Sequence, residues 1–244
     1  MEYRCEATTK EGFIQQLACN YLTHGYFFYV TGSIPAGKDP RRVDQKLLAK
    51  YGIAISRQSR ARRKKGGFAN VHYLRFHCFF LMLATHGEHV FFEEEKSRIR
   101  DVRRIPIKFD DYSISVKQDS LQRRTGVQSE SARKWRVCVR VARERYLTLK
   151  AYFVDLATRQ SAMMLFLQFH ALPYVPYAPV RQQFLNILRL VNKARRSAGL
   201  ERVSAKGFRY RRRIVKPFEQ LDTTPRATTE VGSPSAIIRE GEKR

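Results

Sequence analysis

The chain has 244 residues, of which 43% are hydrophobic, and its 47 Lys and Arg against 22 Asp and Glu give a formal net charge of +25. This apolar content excludes a disordered polycation, because such chains lack the hydrophobic residues that build a core. No apolar run approaches the ~18 residues needed to cross a bilayer, so a membrane-spanning protein is not expected. The first residues, Met1–Cys5, lack the basic start and apolar stretch of a signal peptide, so a cytoplasmic protein is expected.

The N-terminal part of the chain predicts helices that alternate with strands. Thr8 begins a capping box, and apolar residues at helical spacing predict a helix over 9–22. An aromatic and β-branched run predicts a buried strand at 26–31. Asp39 then caps a second helix, which ends at Gly52. A strand followed by a crossover helix indicates a βα unit that feeds a sheet.

Two polar stretches separate the later strands. The segment 56–67 contains no acidic residue and ends in two glycines, and it predicts an exposed polybasic loop. A second exposed loop is predicted at 118–133, which is rich in Arg, Gln and Ser. Apolar and β-branched runs predict strands at 68–76, 78–85, 103–109 and 111–117.

The segment 135–141 has the clearest strand pattern in the chain. One predicted face carries Trp135, Val137, Val139 and Val141, and the other carries Arg136, Cys138 and Arg140. The first face is expected to pack on the core while the second presents guanidinium groups to solvent.

The C-terminal part changes to a helical period. Helices are predicted from about 143 to 156, at 160–171 and at 179–197, and Gly199 ends the last of them. Residues 206–216 are basic with interleaved aromatic residues. After Pro217 the composition becomes Thr, Pro, Ser, Gly and Glu, which predicts a disordered tail.

These elements predict an α+β fold with a mixed or antiparallel sheet and flanking helices, followed by a helical C-terminal region and a disordered tail. The predicted divisions are a sheet domain at 1–141, a helical region packed on it at 142–205, a basic arm at 206–216 and the tail at 217–244. No internal repeat is evident.

The positive charge predicts a polyanionic partner, and inside a cell the commonest one is nucleic acid. An anionic membrane surface competes as a polyanion, but the sequence shows no lipidation motif, so no membrane binding is expected. The residues predicted to contact phosphates are Arg57, Arg60, Arg62, Arg63, Lys64, Lys65, Arg136, Arg140, Arg209, Arg211, Arg212 and Arg213. The alternative for each cluster is a solvated charged face, and in the arm two roles of Phe208 and Tyr210 stay open, stacking on bases or docking of the segment on the core.

A Glu-x-Lys pattern gives an enzymatic alternative. Glu94 and Lys96 match half of the motif of many metal-dependent nucleases, in which carboxylates hold Mg²⁺ and the lysine orients the attacking water. Asp101, Asp110 or Asp111 would supply the second carboxylate. Such a short pattern also arises by chance, and an exposed acidic turn explains it as well.

Other catalytic patterns are weaker. His72, His77, His86 and His89 lie close in sequence beside Cys78, but they lack the paired-histidine spacing of single-stranded DNA nucleases. Tyr146 is the best placed tyrosine nucleophile, although it also fits the apolar stripe of its helix. The four cysteines form no Cys-x-x-Cys pair, and no phosphate-binding glycine loop or serine-hydrolase motif is present.

The leading hypothesis is therefore a nucleic-acid-binding protein, from a replication, mobile-element or phage system, with DNA favoured over RNA as the partner. No cofactor is expected unless the nuclease alternative holds, in which case the cofactor is Mg²⁺. A second alternative is a structural protein associated with the ribosome. Oligomeric state and sequence specificity do not follow from these patterns.

Overall fold

Two antiparallel sheets form the centre of the molecule in a computed structural model, which describes residues 3–118, 135–208 and 211–219. The strands are β1 (Phe28–Ser33), β2 (Val71–Phe76), β3 (Phe79–Ala84), β4 (Arg100–Asp101), β5 (Ile107–Phe109), β6 (Tyr112–Gln118) and β7 (Trp135–Val141). The large sheet has the order β2–β3–β1–β4 and the small sheet the order β5–β6–β7, and all pairings between these strands are antiparallel.

Helices flank both sheets, which confirms the predicted α+β class. They are α1 (Lys10–Gln15), α2 (Pro40–Lys50), α3 (Arg57–Lys65), α4 (Val90–Glu94), α5 (Arg143–Leu156), α6 (Ala162–Ala171) and α7 (Ala178–Ser197). The predicted Asp39 cap is confirmed, since the Asp39 carboxylate accepts a hydrogen bond from the backbone N–H of Arg41 at 2.9 Å.

The predicted helix over 9–22 is not one regular helix. Thr9, not Thr8, is its N-cap and accepts from the backbone N–H of Gly12, while the Thr8 hydroxyl donates to Pro217 near the other end of the described chain. After α1 the chain continues as a π-helical segment, Gln16–Tyr21, and then as a 3₁₀ turn, Leu22–His24.

The predicted polybasic loop at 56–67 is wrong, because this segment forms helix α3. It lacks the apolar stripe by which most helices are found in sequences, but it has an N-cap at Ser56 and a glycine pair at its end. Its Arg, Lys, Gln and Ala residues also have high intrinsic helix propensity.

Other boundaries differ less. The predicted strand at 103–109 begins only at Ile107, because the Asp101 carboxylate accepts from the backbone N–H of Arg103 and turns the chain there. The strand at 135–141 is confirmed at both ends. Apart from Gln118, which ends β6, the predicted loop at 118–133 lies outside the described residues, and so does the predicted tail from 220 onward. The first three positions of that tail, 217–219, are described, and Pro217 accepts a hydrogen bond from the Thr8 backbone N–H at 2.9 Å.

The large sheet buries both faces. One face, which includes Leu74 and Leu81, shares a hydrophobic cluster with α1, the small sheet and the C-terminal helices. The opposite face, which includes Val30 and Tyr73, packs with Tyr51, Ile53 and Phe91. The edge strand β2 thus lies between two packed layers, and α3 joins it at its N-terminal end.

Candidate nucleic-acid interface

Helix α3 is built by local hydrogen bonds at both ends. The Ser56 hydroxyl oxygen accepts from the backbone N–H of Ser59 at 3.1 Å, which caps the first turn. At the other end Gly67 adopts a φ of +81°, and the backbone N–H of Phe68 donates to the Arg63 carbonyl at 3.0 Å. This left-handed glycine closes the helix and directs the chain into β2.

Arg60 fastens α3 to the body of the protein. Its guanidinium donates to the carbonyl oxygens of Ile53 at 2.6 Å and Val71 at 3.0 Å, and it lies 5.9 Å from the centre of the Tyr3 ring. The Asn70 side-chain amide donates to the Arg60 carbonyl at 2.9 Å. Arg60, predicted as a phosphate contact, therefore faces inward and positions the helix.

An aromatic cluster lies beneath this arginine. The ring of His72 stacks on Tyr21 at 4.4 Å and packs against Tyr26 at 4.7 Å, and its Nδ1 atom is 2.9 Å from the Tyr3 hydroxyl. Burial, together with the Arg60 charge, lowers the pKa of His72 to about 3. His72 is therefore neutral at pH 7 and forms part of the support for α3.

The remaining cations of α3 have no acidic counterpart. Within residues 3–118, 135–208 and 211–219, none of Arg57, Arg62, Arg63, Lys64 and Lys65 forms an ion pair. All but the half-buried Arg63 are exposed, and the helix contains no buried residue. The result is a firmly positioned surface of uncompensated positive charge.

The outward face of the small sheet is a second basic surface. Arg136 and Arg140 on β7 are exposed as predicted, whereas Cys138 between them is buried. The strand register places Lys117 of β6 directly opposite Arg136. Sequence reasoning missed Lys117, because only the pairing of β6 with β7 brings it to this face.

The predicted basic arm is partly docked. Phe208 is buried, and the Val215 backbone exchanges two hydrogen bonds with the Gln15 side chain at 2.7 and 3.3 Å. Arg212 lies over the Tyr177 ring at 4.8 Å and within 3.4 Å of the Cys19 sulfur. Arg211 and Arg213 are exposed, and Arg209 and Tyr210 lie outside the described residues.

Each carboxylate of the nuclease alternative forms an ion pair with a different cation. The pairs are Glu94 with Lys50 at 2.8 Å, Asp101 with Arg103 at 2.7 Å, Asp110 with Lys10 at 2.6 Å and Asp111 with Arg145 at 3.3 Å. Burial opposes ionisation of Asp101, but hydrogen bonds from Arg103 outweigh it and lower the pKa of that carboxyl. Lys96 is exposed, two residues beyond Glu94 at the end of the short helix α4.

The histidines are dispersed as well. His89 caps α4, since its Nδ1 atom accepts from the backbone N–H of Phe91 at 3.0 Å, and burial together with the nearby Arg63 charge lowers its pKa. His77 lies in the hairpin turn between β2 and β3 with a φ of +51°. In the part of the chain that the structure describes, no group of three His, Cys, Asp or Glu side chains is arranged to hold a metal ion.

The chain matches no protein-family model, and no curated protein or solved structure is significantly similar to it. None of the described helices has both the length and the apolar character to span a bilayer. Function is therefore inferred from the geometry of the residues themselves.

Proposed function

We propose that this protein binds nucleic acid through the phosphate backbone, with α3 as its principal contact and DNA as its partner. One observation carries the proposal: α3 is a capped and anchored helix whose exposed Arg and Lys side chains form no ion pair among the described residues. Phosphate oxygens are the partners that such side chains bind best, and each contact releases condensed counterions.

Packing in the hydrophobic core does not explain why this helix is present. Like charges three or four residues apart in a helix repel, as do Arg62 and Lys65, and α3 buries no side chain that would offset this repulsion. Its position depends on polar contacts, in which the Arg60 guanidinium binds two carbonyl oxygens and the Asn70 amide binds the Arg60 carbonyl. A polyanion removes the repulsion that the folded protein retains, which supports a role in binding.

The small sheet supports the same function. Lys117 and Arg136 stand directly opposite each other on neighbouring strands, where like charges destabilise a sheet. The segment Gln16–His24 contacts β7, and its Tyr21 stacks on His72 beneath Arg60. The small sheet is thus connected through this segment to the residues that support α3, and contact of both basic surfaces with one polyanion would strengthen binding beyond either alone.

A titration over a range of salt concentrations tests the proposal. The full chain is added to labelled duplex DNA, single-stranded DNA and ribosomal RNA, each with and without Mg²⁺. We expect tight binding to DNA that weakens steeply with salt and leaves the DNA intact. Absence of salt-dependent binding to every probe would overturn the proposal.

The same titration separates the alternatives. Cleavage that appears only with Mg²⁺ would favour a nuclease, and binding confined to ribosomal RNA would favour a ribosome-associated protein. The only tryptophan in the sequence, Trp135, precedes Arg136 on β7 and packs against Phe27, so a change in its fluorescence reports a change in the small sheet on binding without a label.

A further inference from the structure

The outward face of α3 has a small side chain at its centre. Ser59, Arg60 and Arg63 are the half-buried residues, so they mark the side of the helix that faces the body. On the opposite side, Gln58, Ala61 and Lys65 are exposed and follow one another at spacings of three and four residues, which aligns them along the helix. We call these three residues the central ridge.

Cations flank the central ridge on both sides. By helical geometry Arg57 and Lys64 lie along one side and Arg62 along the other, and all three are exposed. The long side chains therefore spread away from the ridge, whereas Ala61 leaves the middle of the helix open to close approach.

The dimensions of α3 fit one groove of a nucleic acid. Its nine residues rise about 14 Å, and an α-helix with side chains is about 10–12 Å across. The major groove of B-form DNA is about 12 Å wide and admits such a helix, with phosphates along both rims. In A-form RNA the major groove is too deep and narrow for side chains to enter.

We propose that α3 enters the major groove of double-stranded DNA, where the central ridge faces the base edges and the flanking cations contact the phosphates of both strands. This inference rests on the nucleic-acid binding proposed above and names the form of nucleic acid. The Gln58 amide and the Lys65 ammonium suit adenine and guanine edges, and Ala61 permits the approach.

Helix α3 itself offers no stacking surface for single strands, and the exposed Phe68 beside it lies beyond the glycine pair that ends the helix. Single-strand sites combine cations with aromatic side chains on which bases stack. No position of α3 carries an aromatic side chain. Duplex DNA, which needs an exposed basic element and no stacking surface, matches what the helix offers.

The test compares one sequence in three forms: duplex DNA, duplex RNA and single-stranded DNA, at equal salt. The two duplexes carry similar charge, so attraction to phosphates alone binds both alike, whereas insertion into the major groove selects the DNA duplex. We expect roughly tenfold or tighter binding to duplex DNA than to either other probe. Equal or tighter binding to duplex RNA or single-stranded DNA would overturn the groove assignment and leave phosphate binding intact, and failure to bind any probe would overturn both.

A pair of substitutions tests the geometry without changing charge. Ala61→Leu places a larger side chain on the central ridge, and Ala151→Leu makes the same change at an exposed position in α5. Leucine is a good helix former, so both variants should fold. We expect Ala61→Leu to weaken binding to duplex DNA about tenfold, and Ala151→Leu to leave it unchanged. Equal affinities of the two variants would contradict insertion of α3.

Discussion

Helices α3 and α7 are both rich in basic residues, yet they hold their charge for different reasons. Helix α7 buries an apolar face that includes Val180, Phe184 and Ile187, and its exposed Arg189, Lys193 and Arg196 form the solvated opposite side. Helix α3 has no fully buried residue, and six of its nine residues are Arg or Lys. A basic helix therefore indicates a binding site only where the packing of an apolar face does not already explain the helix.

Each helix also has one arginine whose side chain points into the protein and donates hydrogen bonds to backbone carbonyls. Arg195 of α7 is 3% exposed and donates to the carbonyl oxygens of Glu201, Ala157 and Gln160. Arg60 of α3 donates to two carbonyls but remains half exposed at the edge of the protein. The first ties together elements of the core, and the second attaches a surface element.

The two helices should differ most in how much the truncation of a side chain lowers the free energy of unfolding. Ile187→Ala removes a fully buried side chain and should lower the free energy of unfolding by about 2–5 kcal/mol. Arg62→Ala in α3 should change it by less than about 0.5 kcal/mol, because this side chain is exposed. Urea unfolding of both variants measures the difference, and comparable losses would show that α3 is part of the core after all.

Substitution of the two inward arginines sharpens the comparison. Arg195→Met leaves three carbonyl oxygens without their donor and should cost about 2–4 kcal/mol of global stability. Arg60→Met leaves two carbonyl oxygens without their donor and should cost about 1–3 kcal/mol, and it should also release α3. In Arg60→Met we expect faster hydrogen exchange at the backbone amides of residues 57–65 only. Unchanged protection of these amides would show that Arg60 does not position the helix.

The support beneath α3 should respond to pH. The folded-state pKa of His72, about 3, lies below its ordinary value of 6.5, so the unfolded chain binds more protons between these values. Stability is therefore complete at neutral pH and falls as the pH drops below about 6.5. Between pH 7 and pH 5 the wild-type protein should lose about 1–2 kcal/mol more stability than His72→Gln. Equal losses in urea titrations of the two proteins would contradict burial of a neutral His72.

The smallest effect concerns the second basic surface. Lys117→Glu replaces a like-charged pair across β6 and β7 with an opposite-charged one, and should stabilise the protein by about 0.2–1 kcal/mol. The same change should weaken DNA binding if this face takes part. A variant that is less stable than the wild type would show that Lys117 and Arg136 do not repel each other.

The sequence predicted well the elements whose hydrophobic pattern carries the information. The alternation in 135–141 located β7, and the apolar stripe of Val180, Phe184 and Ile187 located α7. Helix α3 was not predicted, because it has no apolar stripe. The sequence features that indicate this helix are the Ser56 cap and the glycines that follow Lys65.

The residues of the candidate site were harder to predict from the sequence, because their positions depend on tertiary structure. The contribution of Lys117 depends on strand register, and the inward orientation of Arg60 depends on carbonyls of Ile53 and Val71 that no local pattern reveals. The pairing of Glu94 with Lys50, 44 positions away, likewise could not be read from a short motif.

The most direct test removes equal charge from the two helices. One variant carries Arg57→Gln, Arg62→Gln and Lys64→Gln in α3, and its matched control carries Arg189→Gln, Lys193→Gln and Arg196→Gln in α7, so each loses two exposed arginines and one exposed lysine. The quantity measured is the slope of log affinity for duplex DNA against log salt concentration. We predict that the α3 variant binds weakly, with a slope smaller by about 0.9 for each lost phosphate contact, while the α7 variant stays close to wild type. Equal loss of affinity and slope in both variants would contradict the account, because binding would then follow net charge and not the surface of α3.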